Sequence, residues 1–82
     1  MKTDILLFGP LSSEAGTDRI RVSLPAGGVT GDELRRTLAR EHPELASLLP
    51  SHRFSRNQEI VTDSDTLAPD DEIALIGMVS GG

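Results

Sequence analysis

Two runs of four apolar residues stand near opposite ends of the chain, at residues 5–8 and 73–76. Neighbouring strand residues point to opposite faces of a sheet, so a run without polar residues predicts a strand that is buried on both faces. Such strands lie at the centre of a sheet, and we expect these two to lie side by side and parallel. Apolar and polar residues alternate over residues 19–24, which predicts a strand with one exposed face.

One main helix is predicted between these strands. Thr30 and Glu33 form the Thr-x-x-Glu pattern of a capping box, which indicates that a helix begins there. Leu34 and Leu38 lie one turn apart and give this helix an apolar side. The helix is expected to end near Glu41, because a proline follows two residues later and disfavours helical geometry before it.

The other segments are shorter and more polar. They predict a loop longer than a hairpin turn at residues 9–18, a short helical turn over residues 46–49, two short strands at residues 53–56 and 59–61 separated by Asn57 and Gln58, and a polar turn region at residues 62–71.

This order of elements predicts an α+β fold. With the two central strands at the two ends of the chain, it is the β-grasp (ubiquitin-like) arrangement, a mixed sheet with one main helix across one face. A small α+β fold with a different strand order is the alternative that periodicity leaves open. We expect a single domain over residues 1–82, in which residues 77–82 form a flexible carboxyl-terminal tail.

A single helix can cover only one face of such a sheet. If Ile73 and Leu75 face the helix, Ala74 and Ile76 face away from it. The same alternation places either residues 5 and 7 or residues 6 and 8 on the uncovered face. An uncovered apolar face is a candidate surface for a partner, although scattered exposed aliphatic residues are common on any protein.

Composition narrows the possible functions. The chain has no cysteine, which excludes disulfides, cysteine zinc sites and thiol chemistry by its own side chains. A net charge of −5 argues against nucleic-acid binding. Residues 57–82 hold six acidic residues and no basic one, so this part either attracts basic partners or is simply solvated. The apolar runs are too short to cross a membrane and no signal peptide is evident, so we expect a cytoplasmic protein.

The chain ends in Val79-Ser80-Gly81-Gly82. Glycine adopts almost any backbone conformation and fits a channel too narrow for a Cβ, so the carboxylate of Gly82 is the reactive group most easily delivered to another protein. Activation by ATP as an acyl-adenylate would give this carboxylate a good leaving group, and attack by sulfide or persulfide would leave a thiocarboxylate. The simpler interpretation of two terminal glycines is a frayed chain end.

Several motifs together resemble one protein family. They are Leu7-Phe8-Gly9, Gly16-Thr17-Asp18, the helix segment at residues 30–38, Asn57-Gln58, the sequence Leu-Ala-Pro-Asp-Asp-Glu-Ile at residues 67–73, and the final Val79-Ser80-Gly81-Gly82. Over nearly its whole length the chain is similar to the small, sulfur-carrying subunit of molybdopterin synthase, a ubiquitin-like β-grasp protein.

The resemblance implies a sulfur donor without an active site of its own. An adenylating enzyme similar to ubiquitin-activating enzymes would use ATP and magnesium to activate Gly82, and no cofactor would stay bound to the chain. The thiocarboxylate would then enter the large subunit of the synthase, in a heterotetramer, and give sulfur to cyclic pyranopterin monophosphate in molybdenum cofactor biosynthesis.

The resemblance also implies which residues do this work. Gly82 would carry the adenylate and then the thiocarboxylate, and Gly81 would belong to the tail that delivers it. The residues expected to bind the partner are Phe8, Ile60, Ile76, Met78, Val79 and Ser80. Phe8 in this set selects residues 6 and 8 for the uncovered face.

One departure from the family keeps other functions open. Many members carry two prolines where this chain has Gly77 and Met78, and glycine loosens a tail that proline would stiffen. The alternatives are a sulfur carrier for thiamine, cysteine or another product, a ubiquitin-like modifier joined to lysines through Gly82, and a β-grasp adaptor whose tail is inert.

The remaining candidates are assigned structural roles. His42 and His52 lack the spacing of a metal site and are expected at the surface. The arginines of the helix, Arg35, Arg36 and Arg40, are expected to be solvated. No metal site and no catalytic side chain are predicted.

Overall fold

The computed structural model describes residues 1–77, which form a β-sheet with helices packed on one face. The strands are β1 (Lys2–Leu7), β2 (Arg19–Ser23), β3 (Val29–Thr30), β4 (His52–Arg56), β5 (Glu59–Ile60), β6 (Thr66–Leu67) and β7 (Ile73–Gly77), and the helices are α1 (Pro10–Ala15) and α2 (Gly31–Glu41). Two 3₁₀ turns, Pro43–Leu45 and Leu49–Ser51, connect α2 to β4. None of the helices within residues 1–77 is long and apolar enough to span a bilayer.

The main sheet has the strand order β2-β1-β7-β4-β5, and β3 pairs with β6 in a separate two-stranded sheet. β1 and β7 are parallel, with Ile5 opposite Ile73, whereas the other strand pairs are antiparallel. The two strands predicted from apolar runs are therefore neighbours inside the sheet. This confirms the mixed sheet of the predicted β-grasp arrangement, with α2 as its main helix.

The core lies between the main sheet and α2. Ile5 and Leu7 of β1 and Phe54 of β4 are at most 1% exposed, and they form one cluster with Leu34 and Leu38 of the helix. Burying each such side chain contributes about 1.5–3 kcal/mol to folding. The apolar side predicted for the helix is thus the side that holds it on the sheet.

The helix begins where the capping box predicted. The Thr30 hydroxyl accepts a hydrogen bond from the Glu33 amide at 3.2 Å, and its own proton reaches Glu33 Oε1. The next amides donate to the loop before β6: Gly31 N–H to the carbonyl of Asp65 and Asp32 N–H to the carbonyl of Asp63. The carbonyl groups of this loop therefore accept hydrogen bonds from amides of the first turn of α2, which have no partner within the helix.

The prediction of a loop over residues 9–18 is wrong, because residues 10–15 form α1. Proline fits the first turn of a helix, and Leu11 is fully buried in the core. Gly16 ends the helix at φ 73°, where its amide donates to the carbonyl of Ser12. The sequence signals for α1 are the proline at its start and the glycine after its end. A helix of about one and a half turns is too short to show a clear hydrophobic periodicity.

The polar turn region predicted at residues 62–71 also needs correction. It contains β6, whose Leu67 is fully buried and lies opposite Val29 of β3. Each strand has only two residues, too few for an alternating pattern to be recognised.

The helical turn predicted over residues 46–49 is displaced. One 3₁₀ turn ends at Leu45, just before that segment, and the other begins at its last residue, Leu49. Pro43 and Pro50 each occupy the first turn of one. Proline has a φ suited to such a position and lacks the amide that would have no partner there.

Candidate partner-binding face and carboxyl-terminal segment

The side of the main sheet turned away from α2 carries a row of opposed residues. Leu6 of β1 lies opposite Ala74 of β7, Ala74 opposite Ser55 of β4, and Ser55 opposite Ile60 of β5. Directly opposed strand residues point to the same side of a sheet. We call the side that carries this row the open face.

The open face has the residue parity expected from the sequence. Ile5 and Leu7 point into the core, whereas Leu6 is half-buried and Phe8 is 53% exposed. The prediction that Leu6 and Phe8 are the outward pair is confirmed.

Gly9 directly follows Phe8 in the chain, and its conformation keeps the Phe8 ring at the edge of the open face. Gly9 has φ 55° and ψ −130°, a conformation in which a Cβ would be strained. Its carbonyl accepts the Ser13 amide at 3.1 Å, which starts α1. The chain therefore turns sharply after Phe8 instead of continuing along β1.

A tight turn places Ile60 on the same face. Asn57 and Gln58 both have positive φ, 53° and 74°, as in the two-residue turns that join antiparallel strands. The Asn57 side chain fixes this turn to the start of β7: its Oδ1 accepts the Glu72 amide at 2.9 Å and its Nδ2 donates to Asp71 at 3.2 Å. Ile60 follows and is 50% exposed.

An open depression of about 450 Å³ lies on this face. Five of its lining residues are apolar: Leu6, Phe8, Ile60, Ala74 and Ile76. The other three are polar. The structure thus brings Phe8, Ile60 and Ile76 together, and these are the described residues among those predicted to bind a partner. That they bind one stays a prediction.

Charged side chains flank the apolar depression. Arg53 lies opposite Ile76 and is exposed. On the β2 side, Asp4 lies between two arginines, 3.1 Å from Arg21 Nε and 3.6 Å from Arg19 Nη1. Exposed ion pairs contribute about 0–1 kcal/mol, so these charges matter mainly as a rim around the depression.

The depression extends from Glu72, just before β7, to Ile76, and so reaches the end of the sheet at which β1 and β7 finish. β1 and β7 are parallel, so they end on the same side of the sheet. Phe8 directly follows β1, and Gly77 is the last residue of β7. Gly77, which the sequence analysis assigned to the tail, therefore belongs to β7 and lies opposite His52. The remaining predicted site residues, Met78, Val79, Ser80, Gly81 and Gly82, lie outside the described residues, and their roles stay predictions.

The surface position predicted for His52 is wrong, because this residue is only 4% exposed. Strand alternation could have indicated this, since residue 52 shares the inward parity of Phe54. Its Nδ1 lies 2.8 Å from the carbonyl oxygen of Leu48, and the imidazole packs against Gly77. His42 is half-buried, with Nδ1 3.5 Å from a carboxylate oxygen of Glu44.

The solvated position predicted for Arg35 also needs correction. A groove of about 710 Å³ lies between α2, the second 3₁₀ turn and β4, and Arg35 lines it with its side chain only 18% exposed. Arg35 Nε contacts Asp63 at 3.0 Å. Arg36 is exposed and pairs with Asp32, and this hydrogen bond raises the pKa of Arg36.

The titratable side chains of residues 1–77 do not form a metal site. Within residues 1–77, no three His, Cys, Asp or Glu side chains are arranged to hold a metal ion. The pKa of Asp65 is lowered because its carboxylate accepts a hydrogen bond from the Thr62 amide, and this group lies in the loop that caps α2. The candidate functional region is therefore the open face and the segment that follows Gly77.

Residues 5–82 match the family model described as the ThiS family. The chain belongs to the ThiS family. The match extends over the open face and includes the carboxyl-terminal residues that the structure leaves undescribed.

Similarity to individual proteins agrees with membership of the ThiS family. The chain is 34% identical, over 100% of both chains, to the molybdopterin synthase sulfur carrier subunit of Chlamydomonas reinhardtii. The crystal structure of SAMP1, a small archaeal modifier protein from Haloferax volcanii, has a TM-score of 0.80 and 29% identity over 100% of both chains. These similarities confirm the predicted resemblance and the β-grasp fold.

A third similarity concerns the fold alone. The protein–protein complex of subunits 1 and 2 of molybdopterin-converting factor from Helicobacter pylori contains a chain with a TM-score of 0.66 and 23% identity, again over 100% of both chains. The same sheet-and-helix arrangement is thus found in a chain from a two-subunit assembly.

Proposed function

We propose that this chain is the sulfur-carrier subunit of a molybdopterin synthase. The observation that carries the proposal is the 34% identity, over the whole of both chains, to the Chlamydomonas reinhardtii protein of that name. The family match to residue 82, which includes Gly81 and Gly82, supports the assignment of the chemistry to the carboxyl-terminal segment.

The proposed chemistry takes place at the carboxylate of Gly82. This carboxylate attacks the α-phosphorus of ATP on an adenylating enzyme that uses magnesium, which forms an acyl-adenylate and releases pyrophosphate. Hydrosulfide then attacks the acyl carbon and displaces AMP, which leaves a thiocarboxylate and one proton. The chain has no cysteine, so the sulfur must come from another molecule.

In the second stage, the loaded segment enters the large subunit of the synthase. The thiocarboxylate sulfur attacks an electrophilic carbon of cyclic pyranopterin monophosphate and displaces an oxygen substituent from that carbon, which forms a thioester between Gly82 and the pterin. Water then attacks the acyl carbon and cleaves the acyl–sulfur bond, which leaves the sulfur on the pterin and releases the carboxylate of Gly82 for another cycle. Two sulfurs are needed for each dithiolene, so two loaded carriers are used. The two-subunit complex of the Helicobacter pylori protein and the apolar depression around Phe8, Ile60 and Ile76 support docking of a large subunit on the open face.

A second candidate function is that of a protein modifier. The 29% identity to SAMP1, a small archaeal modifier protein, over the whole of both chains favours it. In this function the activated Gly82 forms an isopeptide bond with a lysine amine, with the same acyl-adenylate as the starting point. The two functions share activation and differ in the nucleophile.

Intact-mass measurement separates the candidates. The chain is incubated with the adenylating enzyme of the same organism, ATP, magnesium and a sulfide source, and then with the large subunit and cyclic pyranopterin monophosphate. Replacement of one oxygen by sulfur at Gly82, followed by its loss as molybdopterin forms, supports the carrier.

Isopeptide adducts with no thiocarboxylate would favour the modifier, and an unchanged mass would refute both. Deletion of Gly82 should abolish the mass change while the far-ultraviolet circular dichroism stays the same. The matched control is Ser47→Glu, an exposed position between the two 3₁₀ turns, which should be loaded normally.

A further inference from the structure

The groove between α2, the second 3₁₀ turn and β4 is a second surface that a partner could occupy. Its volume of about 710 Å³ is larger than that of the depression on the open face and falls within the range of about 300–1,000 Å³ that is typical of binding clefts. It lies on the helix side of the main sheet, and neither Phe8 nor Ile60 lines it. The groove is therefore separate from the open face.

Arg35 holds the two walls of this groove together. Its terminal nitrogens donate to the carbonyl oxygens of Leu49 and His52, and its guanidinium group lies over the Phe54 ring. Arg35 belongs to α2, whereas the two carbonyl groups belong to the opposite wall. The width of the groove is therefore fixed before a partner arrives, and a preformed site loses little conformational entropy on binding.

The apolar part of the lining leaves room for a side chain of another molecule. It consists of Ala39 on α2, Ala46 between the two 3₁₀ turns, and Leu49 and Pro50 in the second turn. Both alanines are half-buried and end at Cβ, so the lining contacts solvent where larger residues would fill the space. An aliphatic side chain bound there would remove apolar surface from water.

The charged part of the lining is mainly basic. Three arginines, Arg35, Arg36 and Arg53, line the groove with one carboxylate, Asp63, which Arg35 already contacts. Arg36 and Arg53 are exposed, so their guanidinium groups are accessible to a partner. Arg36 pairs with Asp32, but an exposed ion pair contributes little stability, and the carboxylate of a partner can replace it.

This combination favours a peptide over a free anion or a nucleic acid. A small anion would use only the guanidinium groups and would leave the apolar residues between them in contact with water. A nucleic acid would be repelled by the rest of the chain, whose net charge is −5. A short acidic segment with an apolar residue complements both parts of the lining.

We propose that this groove binds an extended acidic segment of another protein, in which one aliphatic side chain lies between carboxylates. The aliphatic side chain contacts Ala46 and Leu49, and the carboxylates pair with Arg36 and Arg53. Such complementarity fixes the register of the segment and speeds its association. The open face stays free, so a partner in the groove and one on the open face can be bound at the same time. The proposal does not depend on the chemistry of Gly82.

A synthetic peptide tests the groove in the complete, ¹⁵N-labelled chain. The peptide is acetyl-Glu-Asp-Leu-Asp-Glu-amide, and its binding is followed by amide chemical shifts in nuclear magnetic resonance spectra. We expect saturable changes at Ala39, Ala46 and Ser51 but not at Leu6 or Ile60, with a dissociation constant of about 1 mM or lower. No saturable change, or changes centred on the open face, would overturn the proposal.

Matched peptides separate the two parts of the recognition. Replacing the leucine by serine should weaken binding about fivefold or more, because the aliphatic contact is lost. Replacing the four acids by their amides should weaken it about tenfold or more, because the ion pairs are lost. Equal binding of the serine peptide, or the same shift changes with inorganic phosphate, would mean that the groove accepts any anion and would refute a peptide site.

Charge variants connect the binding to the groove itself. Arg36→Gln and Arg53→Gln each remove one exposed charge and should weaken binding of the leucine peptide about threefold or more, with a smaller effect at high salt. The control, Arg21→Gln, removes the same charge from β2, away from the groove, and should bind normally. An equal loss in all three variants would show that only the net charge matters and would contradict the proposal.

The amide spectrum of each free variant shows whether it remains folded. None of these measurements uses an adenylating enzyme or a sulfur source. A failure of peptide binding is therefore distinguishable from a failure of sulfur transfer.

Discussion

The guanidinium group of Arg35 lies over the ring of Phe54, with 5.4 Å between Cζ and the ring centroid. Its Nε contacts both carboxylate oxygens of Asp63, at 3.0 and 3.1 Å. Its two terminal nitrogens donate to the carbonyl oxygens of Leu49 and His52. One side chain of α2 thus holds the segment that enters β4 and the loop that precedes β6.

Arg35→Lys should lower the free energy of unfolding by about 1–3 kcal/mol, because lysine keeps the charge but cannot make this planar set of hydrogen bonds. Urea denaturation would measure the change. Arg40 is exposed on the same helix, and Arg40→Lys should change the stability by no more than about 0.5 kcal/mol. Equal losses of stability in Arg35→Lys and Arg40→Lys would show that the contacts of Arg35 do not stabilise the fold more than an exposed arginine does.

The contact between α2 and the loop before β6 predicts an intolerance of larger residues at position 31. A Cβ at Gly31 would lie 3.0 Å from the Asp63 Cα, a backbone atom that cannot move alone. Gly31→Ala should therefore cost about 1–3 kcal/mol of stability, despite the higher helix propensity of alanine.

Gly27 provides the matched control for this substitution. A Cβ there meets no atom within 4 Å, and its φ is not in the left-handed region. Gly27→Ala should be neutral or stabilise the protein by up to about 1 kcal/mol, because alanine restricts the unfolded chain. Thermal unfolding of both variants tests the pair, and a stable Gly31→Ala variant would mean that the loop adapts without loss.

The sequence predicted an element correctly where one strong local pattern identified it. The runs around Ile5 and Ile73 identified the two interior strands of the main sheet, although α2 leaves the face with Leu6 and Ile76 open. The capping box at Thr30 located the start of α2 because its hydrogen bond is local. Parity, together with the family resemblance, identified Phe8 as part of the open face.

Elements that depend on distant partners were not visible in the sequence. β3 and β6 have two residues each, and only their pairing across the fold makes Leu67 a core residue. The burial of Arg35 is a property of the three segments that surround it. The contact between the His52 imidazole and Gly77 likewise exists only because β4 and β7 pair.

Acid should weaken the loop that caps α2. The Thr62 amide donates to Asp65 at 2.7 Å and lowers the pKa of this carboxyl, and the Thr62 hydroxyl acts in the same direction. A carboxyl whose pKa is lower in the folded state stabilises that state above the unfolded pKa of about 3.9. This stabilisation is lost as the pH falls through the folded pKa.

The difference in stability between the native chain and Asp65→Asn should therefore shrink as the pH falls below about 4. Denaturation curves at several pH values would measure it, and a ¹³C titration of the Asp65 carboxyl would give the direction of the shift independently. A difference that stays constant with pH would contradict the role assigned to this carboxylate.

Charge placed on the open face should weaken docking of a partner without unfolding the domain. Phe8 and Ile60 are at least half exposed and line the depression of the open face, so Phe8→Glu and Ile60→Glu cost little core burial. Central apolar anchors dominate binding energies, and each variant should bind the large subunit about tenfold or more weakly. Isothermal calorimetry with the isolated large subunit would measure this affinity. Ser47→Glu introduces the same charge away from the open face and should bind normally; an equal loss in that control, or none at Phe8 and Ile60, would mean that partners dock elsewhere.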